Sequence, residues 1–348
     1  MKNAKADRKK MKGWKKVLLI LLLIPVMIAA IFGGLYLYTD NKPDIRKGYE
    51  KSIQTGGALE AQYLQHGAYD VKKFTAKAET PISMYTIYYP SELETIMQAY
   101  PMILVVNGTG GKATKYEPEF ELYASWGFIA VGTQDKGTGS GQTAVTTLRY
   151  MLEQNEKPDS IFYHRIDTDN IGITGFSQGG AGVFNVLTKY DEAAYIKAAA
   201  PLSPVSEHTA EKTTNYPYDS ADVKCPIMIL TGTSGDFETE IVIPIADLNE
   251  QYEKITVPKV MARRVGMDHD HMMYSAGGYV IAWFRWQLTG DTEAAQVFIG
   301  DTPELLTNTM YQDQRIDLAK SSTSGLSYSG DLYMNERNQN HSIKIGQF

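Results

Sequence analysis

Ser177 stands in "GFSQGG" at 175–180, after the apolar run "NIGIT" and before the helical pattern "AGVFNVLTKY". That context predicts a sharp strand-to-helix turn that lifts the hydroxyl above a sheet, with Gly175 and Gly179 leaving room for close packing. The Gly-x-Ser-x-Gly pattern alone is a weak signal, so the other groups such a serine needs must be present. A hydroxyl attacks poorly until a base takes its proton. Four histidines follow Ser177: His208, His269, His271 and His341. His208 lies in an irregular polar stretch and His341 in a polar tail, whereas His269 comes directly after the run "PKVMARRVG", within "GMDHDHMM". His269 is the expected base, with His271 as its alternative.

The imidazole needs a carboxylate to fix its tautomer and to stabilise its charged form. Asp236 is the first acid after the run "PIMILTGTSGD", so it is the expected partner, with Glu238 and Glu240 close enough to compete. Asp268 adjoins His269 and reads as a loop carboxylate. Negative charge developing on a carbonyl oxygen calls for backbone donors. Gln178 offers its N–H at a helix start, and Thr109 offers one in the loop "NGTGG" at 107–111. Asn107-Gly108-Thr109 also matches a glycosylation sequon, but a loop over a reaction site is a poor place for a glycan. The "DHDH" stretch has the spacing of a zinc site but lacks a third histidine cluster, so no metal is expected. Together these groups could transfer an acyl group through serine, with no cofactor.

The elements that must position them alternate along the chain. Strand-like runs at 83–90, 102–111 (ending in glycines), 128–135, 170–180, 196–204, 225–236 and 258–266 alternate with helical patterns at 118–127, 142–155, 181–190 and 245–255, and a final helix lies near 277–288. Such alternation predicts an α/β fold with a doubly wound, mainly parallel sheet. Groups that follow strands directly then gather beyond the carboxyl ends of the sheet. Trp126, Trp283 and Trp286 read as core residues of helices.

The quoted segments "PMILVVNGTGG", "YASWGFIAVGTQD", "IDTDNIGITGFSQGG", "IKAAAPLSP", "PIMILTGTSGD" and "GMDH" with "YVIAWFRWQLTGD" cover roughly residues 75–300. Together they resemble the α/β-hydrolase superfamily. More narrowly, they resemble the group of bacterial cutinases, polyester hydrolases and chlorophyllases, with dienelactone hydrolases as neighbours. The resemblance implies hydrolysis of carboxylic esters through an acyl-serine, without a cofactor. It implies Ser177, Asp236 and His269 as the triad, and Thr109 and Gln178 as oxyanion donors. Cutinase-like polyester hydrolases usually carry a tryptophan clamp after the "PL-T/S-P" strand end, where this chain has Val205. They also usually have His-Ser-Met at the elbow, where this chain has Phe176-Ser177-Gln178, and "GFSQGG" is similar to acyl-protein thioesterases and small carboxylesterases. The missing clamp points to a different acyl group, smaller or aliphatic.

Charge divides the chain. Residues 1–16 hold eight Lys and Arg against Asp7, a net of +7, while the whole chain is −6, which leaves −13 for residues 17–348. So acidic a remainder speaks against nucleic-acid binding. A single cysteine, Cys225, allows no intrachain disulfide. Residues 17–39 carry no charge, and the 22 residues of 17–38 would make a helix of about 33 Å, enough to cross a bilayer core. The basic head before this span predicts a cytoplasmic N-terminus and an exterior domain. The apolar run exceeds that of a signal peptide, so an uncleaved anchor is expected, with secretion the outcome if it is cut. The expected layout is a basic head at 1–16, a transmembrane anchor at 17–39, a polar stalk at 40–66, an α/β-hydrolase domain at 67–320 and a polar tail at 321–348. The partners expected are an ester substrate and the membrane. A catalytically silent surface binding module and an acyltransferase with the same triad are the competing readings.

Overall fold

A computed structural model describes residues 38–318 and 332–334. Its folded unit begins at Ile45. Ten strands form one sheet: β1 (Val71–Lys77), β2 (Met84–Pro90), β3 (Tyr100–Val106), β4 (Ile129–Thr133), β5 (Ile166–Phe176), β6 (Ile196–Leu202), β7 (Ile227–Gly232), β8 (Lys259–Arg264), β9 (Tyr311–Asp317) and β10 (Leu332–Met334). They lie in the order β1-β2-β4-β3-β5-β6-β7-β8-β9-β10. From β4 to β8 every pairing is parallel, and at both margins the pairings are antiparallel. The mainly parallel α/β sheet read from the sequence is therefore the observed one.

Helices flank the sheet and its carboxyl edge, among them α1 (Ala58–Leu64), α2 (Glu117–Ser125), α3 (Gln142–Glu156), α4 (Gln178–Lys189), α5 (Glu207–Thr213), α6 (Ile245–Lys254), α7 (His269–Ser275) and α8 (Gly277–Thr289). Side chains alternate across a strand, so a strand covered on both faces must be apolar at every position. In β3, Ile103 and Val105 join one core with Phe120 of α2 and Trp283 of α8, while Met102, Leu104 and Val106 join the other with Leu148 of α3 and Phe184 of α4. Trp283 and Trp286 are buried against Phe298, as their helical spacing predicts.

Residues 45–66 are not a stalk. Ile45, Tyr49, Tyr63 and Leu64 are buried in the same core as α2 and α8. Glu60 of α1 is buried in an ion pair with Arg264 at the end of β8, at 2.5 Å, and also accepts from Asn308. A buried carboxylate needs such partners, so Glu60 is an internal connection of the fold.

The expected membrane span at 17–39 lies outside the described residues except for its last two. Among the described residues no helix is long and apolar enough to cross a membrane. The expected tail at 321–348 likewise lies outside them, apart from the short strand β10.

Candidate active site

β5 ends at Phe176, and Ser177 caps α4 with φ 58° and ψ −121°. A non-glycine residue at positive φ is strained and persists only where its surroundings hold it. Here the Ser177 N–H donates to the Leu202 carbonyl at 3.0 Å, and its own carbonyl accepts from the N–H of Val205 at 3.2 Å. Glycine is required alongside. A Cβ on Gly179 would stand 2.2 Å from the Val106 carbonyl oxygen, so the end of β3 packs directly on the first turn of α4.

His269 opens α7, beyond the end of β8. Its Nε2 lies 2.8 Å from Ser177 Oγ and its Nδ1 lies 2.6 Å from Glu238 Oε2. Because the carboxylate can only accept, the ring proton sits on Nδ1, and Nε2 is left to accept from the serine hydroxyl. Glu238 is fully buried, and its other oxygen accepts from Ser203 Oγ and from the Gly232 N–H, each at 2.6 Å. Serine, imidazole and carboxylate thus form one continuous line beyond the carboxyl ends of β5, β7 and β8.

This arrangement corrects the expected acid. Asp236 is exposed, and the carboxylate facing His269 is that of Glu238. The reason is local. After β7 the chain runs out to Asp236 and then winds into a π-helical turn, Phe237–Val242, which directs residue 238 inward beneath the imidazole. Glu240 is exposed on the same turn. His271 is also exposed, and its Nδ1 pairs with Asp268 at 2.6 Å instead of approaching Ser177. Asp268 caps α7, accepting from the His271 N–H at 3.1 Å.

The expected oxyanion donors sit on neighbouring backbone. Gln178 is the first residue of α4, so its N–H has no acceptor within the helix. Thr109 is exposed in the loop after β3. Gly108 lies against Phe176, since a Cβ there would come within 3.0 Å of the ring. Side chains tie this loop down. Asn107 is buried and donates from Nδ2 to the carbonyls of Thr133 and Asp135, at 2.9 and 2.8 Å. Thr138 Oγ1 donates to the Asn107 carbonyl at 2.6 Å, and the Thr138 N–H donates to the Gln178 side-chain oxygen at 2.9 Å. Gln178 therefore has a side-chain connection to the loop after β4 besides its backbone position.

Sequence reasoning did not find Asn107, Ser203 or the two aromatic neighbours of the imidazole. The Phe176 ring lies 4.7 Å from that of His269, and the Phe237 ring meets it edge-on at 5.0 Å and 87°. The "GFS" and "DFE" contexts placed both phenylalanines beside predicted site residues, which was the available signal. Beneath the elbow a cavity is lined by Asn107, Gly108, Tyr116, Glu119, Phe176 and Met273, among others. Burial pushes the Glu119 carboxyl from its ordinary 4.5 up to about 7, against the opposing hydrogen bond from Tyr123. The Tyr123 hydroxyl donates that bond at 2.6 Å.

A buried nucleophile–imidazole–carboxylate line on a strained elbow can transfer acyl groups. The family model for PET hydrolase-like (PETase) proteins matches residues 49–317, most of the folded unit. No curated protein matches the chain.

Proposed function

Because the chain belongs to the PET hydrolase-like family, an α/β-hydrolase family related to cutinases and polyester hydrolases, we propose that it cleaves carboxylic esters with Ser177 as nucleophile, His269 as general base and acid, and Glu238 as the orienting carboxylate. The observation that carries this reading is the Ser177–His269–Glu238 line, with hydrogen bonds of 2.8 and 2.6 Å.

His269 Nε2 takes the hydroxyl proton as Ser177 Oγ attacks the ester carbonyl carbon. The new imidazolium is stabilised by Glu238, which is itself held by Ser203 and the Gly232 N–H. The tetrahedral oxygen is met by the N–H groups of Gln178 and Thr109, and one such donor is worth about 3 kcal/mol in comparable sites. Collapse expels the alcohol, which takes the proton from His269. Water, deprotonated by the same imidazole, then cleaves the acyl-serine and restores the hydroxyl. No step requires a metal or a cofactor.

Full-length protein treated with a fluorophosphonate probe tests this directly. Labelling at Ser177 that vanishes in Ser177→Ala and nearly vanishes in His269→Ala supports the enzyme. Folded protein that never labels would make the chain a silent binding module. Supplying alcohols beside water separates hydrolysis from acyl transfer, because a transferase would give mainly the new ester. The uncharged stretch 17–39 behind a basic head supports a single-pass anchor with the catalytic domain outside the cell. Externally added protease that degrades the domain in intact cells is the expected result, and protection of the domain would overturn the placement.

A further inference from the structure

The π-helical turn that delivers Glu238 has a second face. Phe237 and Ile241 are each 54% exposed, although large apolar side chains at that exposure are few among the described residues. Four residues apart on one turn, they lie on the same side of it. Phe237 stands edge-on to the His269 ring at 5.0 Å. The Ile241 end abuts the segment after β6: the Ile241 carbonyl accepts from Thr209 Oγ1 at 3.0 Å and the Val242 carbonyl from the Ser206 N–H at 2.8 Å. In that segment the Val205 N–H donates to the carbonyl of Ser177. Phe237 and Ile241 therefore form an exposed apolar strip that begins beside the imidazole, on a turn whose far end is hydrogen-bonded to the segment following β6.

Leaving these side chains in water forgoes the stabilisation that burial would bring. The turn also needs neither of them to hold Glu238, whose partners are His269, Ser203 and Gly232. What the strip can do is cover part of a molecule bound at Ser177. Exposed Asp236 and Glu240 flank it on the same turn and disfavour an anionic occupant.

We propose that Phe237, with Ile241 beside it, is the specificity-determining residue of the site and selects neutral esters with an extended apolar group. This rests on the ester-hydrolase reading and, of the smaller or aliphatic acyl group expected from the missing clamp at Val205, departs from the smaller one. The aromatic surface comes from the turn that carries the acid instead of from the end of β6.

Two ester series on the full-length protein test it. One varies the acyl chain from acetate to octanoate with p-nitrophenol constant, and the other varies the alcohol from ethyl to octyl with acetate constant. In Phe237→Ala the long-to-short ratio of kcat/KM should fall about tenfold in at least one series, through KM, the size expected for losing most of one apolar contact. Phe237→Leu should retain most of the ratio, and Ile241→Ser should lower it by a smaller factor. Ratios that stay flat in both series while the wild type hydrolyses esters would overturn the proposal. A parallel fall for short and long esters would also overturn it, since Phe237 would then only be holding His269. A wild type inert toward every ester and toward the phosphonate would instead sink the functional reading on which the strip depends.

Discussion

Two histidines two residues apart each pair with a carboxylate at the same 2.6 Å separation, yet the surroundings of the two pairs differ. In His269–Glu238 the side chains are 7% and 0% exposed, and in His271–Asp268 they are 55% and 49% exposed. The buried carboxylate is fixed by Ser203 and Gly232, so the imidazole it holds has one orientation, aimed at Ser177. The exposed pair is open to water, and exposed pairs contribute about 1 kcal/mol or less. The separation between the two groups therefore does not distinguish these pairs. The difference is what surrounds them and where the free ring nitrogen points.

Exchanging each pair's members in turn would break or sharpen that contrast. His269→Ala should lower kcat for ester hydrolysis by about four orders of magnitude or more, as removing a triad base does elsewhere. His271→Ala should leave kcat within about threefold, as expected for an exposed pair. Equal losses would end the distinction. Glu238→Gln should cost about two to four orders of magnitude in kcat, because an amide can present its N–H to Nδ1 and favour the wrong tautomer. Asp236→Asn should cost less than about twofold, in keeping with ordinary surface substitutions. A large loss at 236 with little at 238 would restore the acid expected from the sequence.

Much of this candidate site was legible as order along the chain, because the parallel strands contain apolar runs and the candidate groups come within a few residues of a strand's carboxyl end. The elbow serine and the histidine that faces it could be found that way. The choice among Asp236, Glu238 and Glu240 could not. Three carboxylates within five residues differ only in which one a π-helical turn rotates inward, and Ser203, which helps hold the right one, lies 35 residues earlier. The edges of the sheet were obscured for another reason. β1 reads "VKKFTAK" and β9 reads "YQDQRID", polar sequences suited to strands at or near a solvated margin. Residues 45–66 read as a stalk because Glu60 gives no hint of Arg264, its partner 204 positions away.

Glu119 extends the comparison to a buried carboxylate with a single strong side-chain donor, Tyr123. Burial raises its pKa to about 7 from 4.5. The folded protein therefore keeps this proton to about pH 7, whereas the unfolded chain releases it near pH 4.5. Between those values the unfolded state binds fewer protons, so this group's contribution makes stability fall as pH rises, with no further change above or below the window. Glu119→Gln keeps an acceptor for the Tyr123 hydroxyl and removes the titration. Denaturant unfolding should show the variant near wild type at pH 4.5 and more stable by up to about 3 kcal/mol at pH 8. A difference independent of pH would mean that Glu119 finds enough donors to stay charged, as a well-partnered carboxylate does.

The smaller of the two stability effects belongs to Asp268, which ties the two pairs together. Its side chain caps α7 at the N-terminus, and the first residue of that helix is His269. Replacing an N-cap aspartate by alanine costs about 1 kcal/mol, whereas asparagine caps nearly as well. Asp268→Ala should therefore lower stability by about that amount, with Asp268→Asn close to wild type. Activity tells more than stability here. If the cap only starts the helix, kcat follows the folded fraction and both variants are nearly wild type below the melting transition. If it also holds His269 on line with Ser177, Asp268→Ala lowers kcat severalfold at unchanged KM, Asp268→Asn restores it, and His271→Ala leaves it alone. The second pattern would give the exposed pair a part in positioning the buried one, through the helix cap and not through its charge.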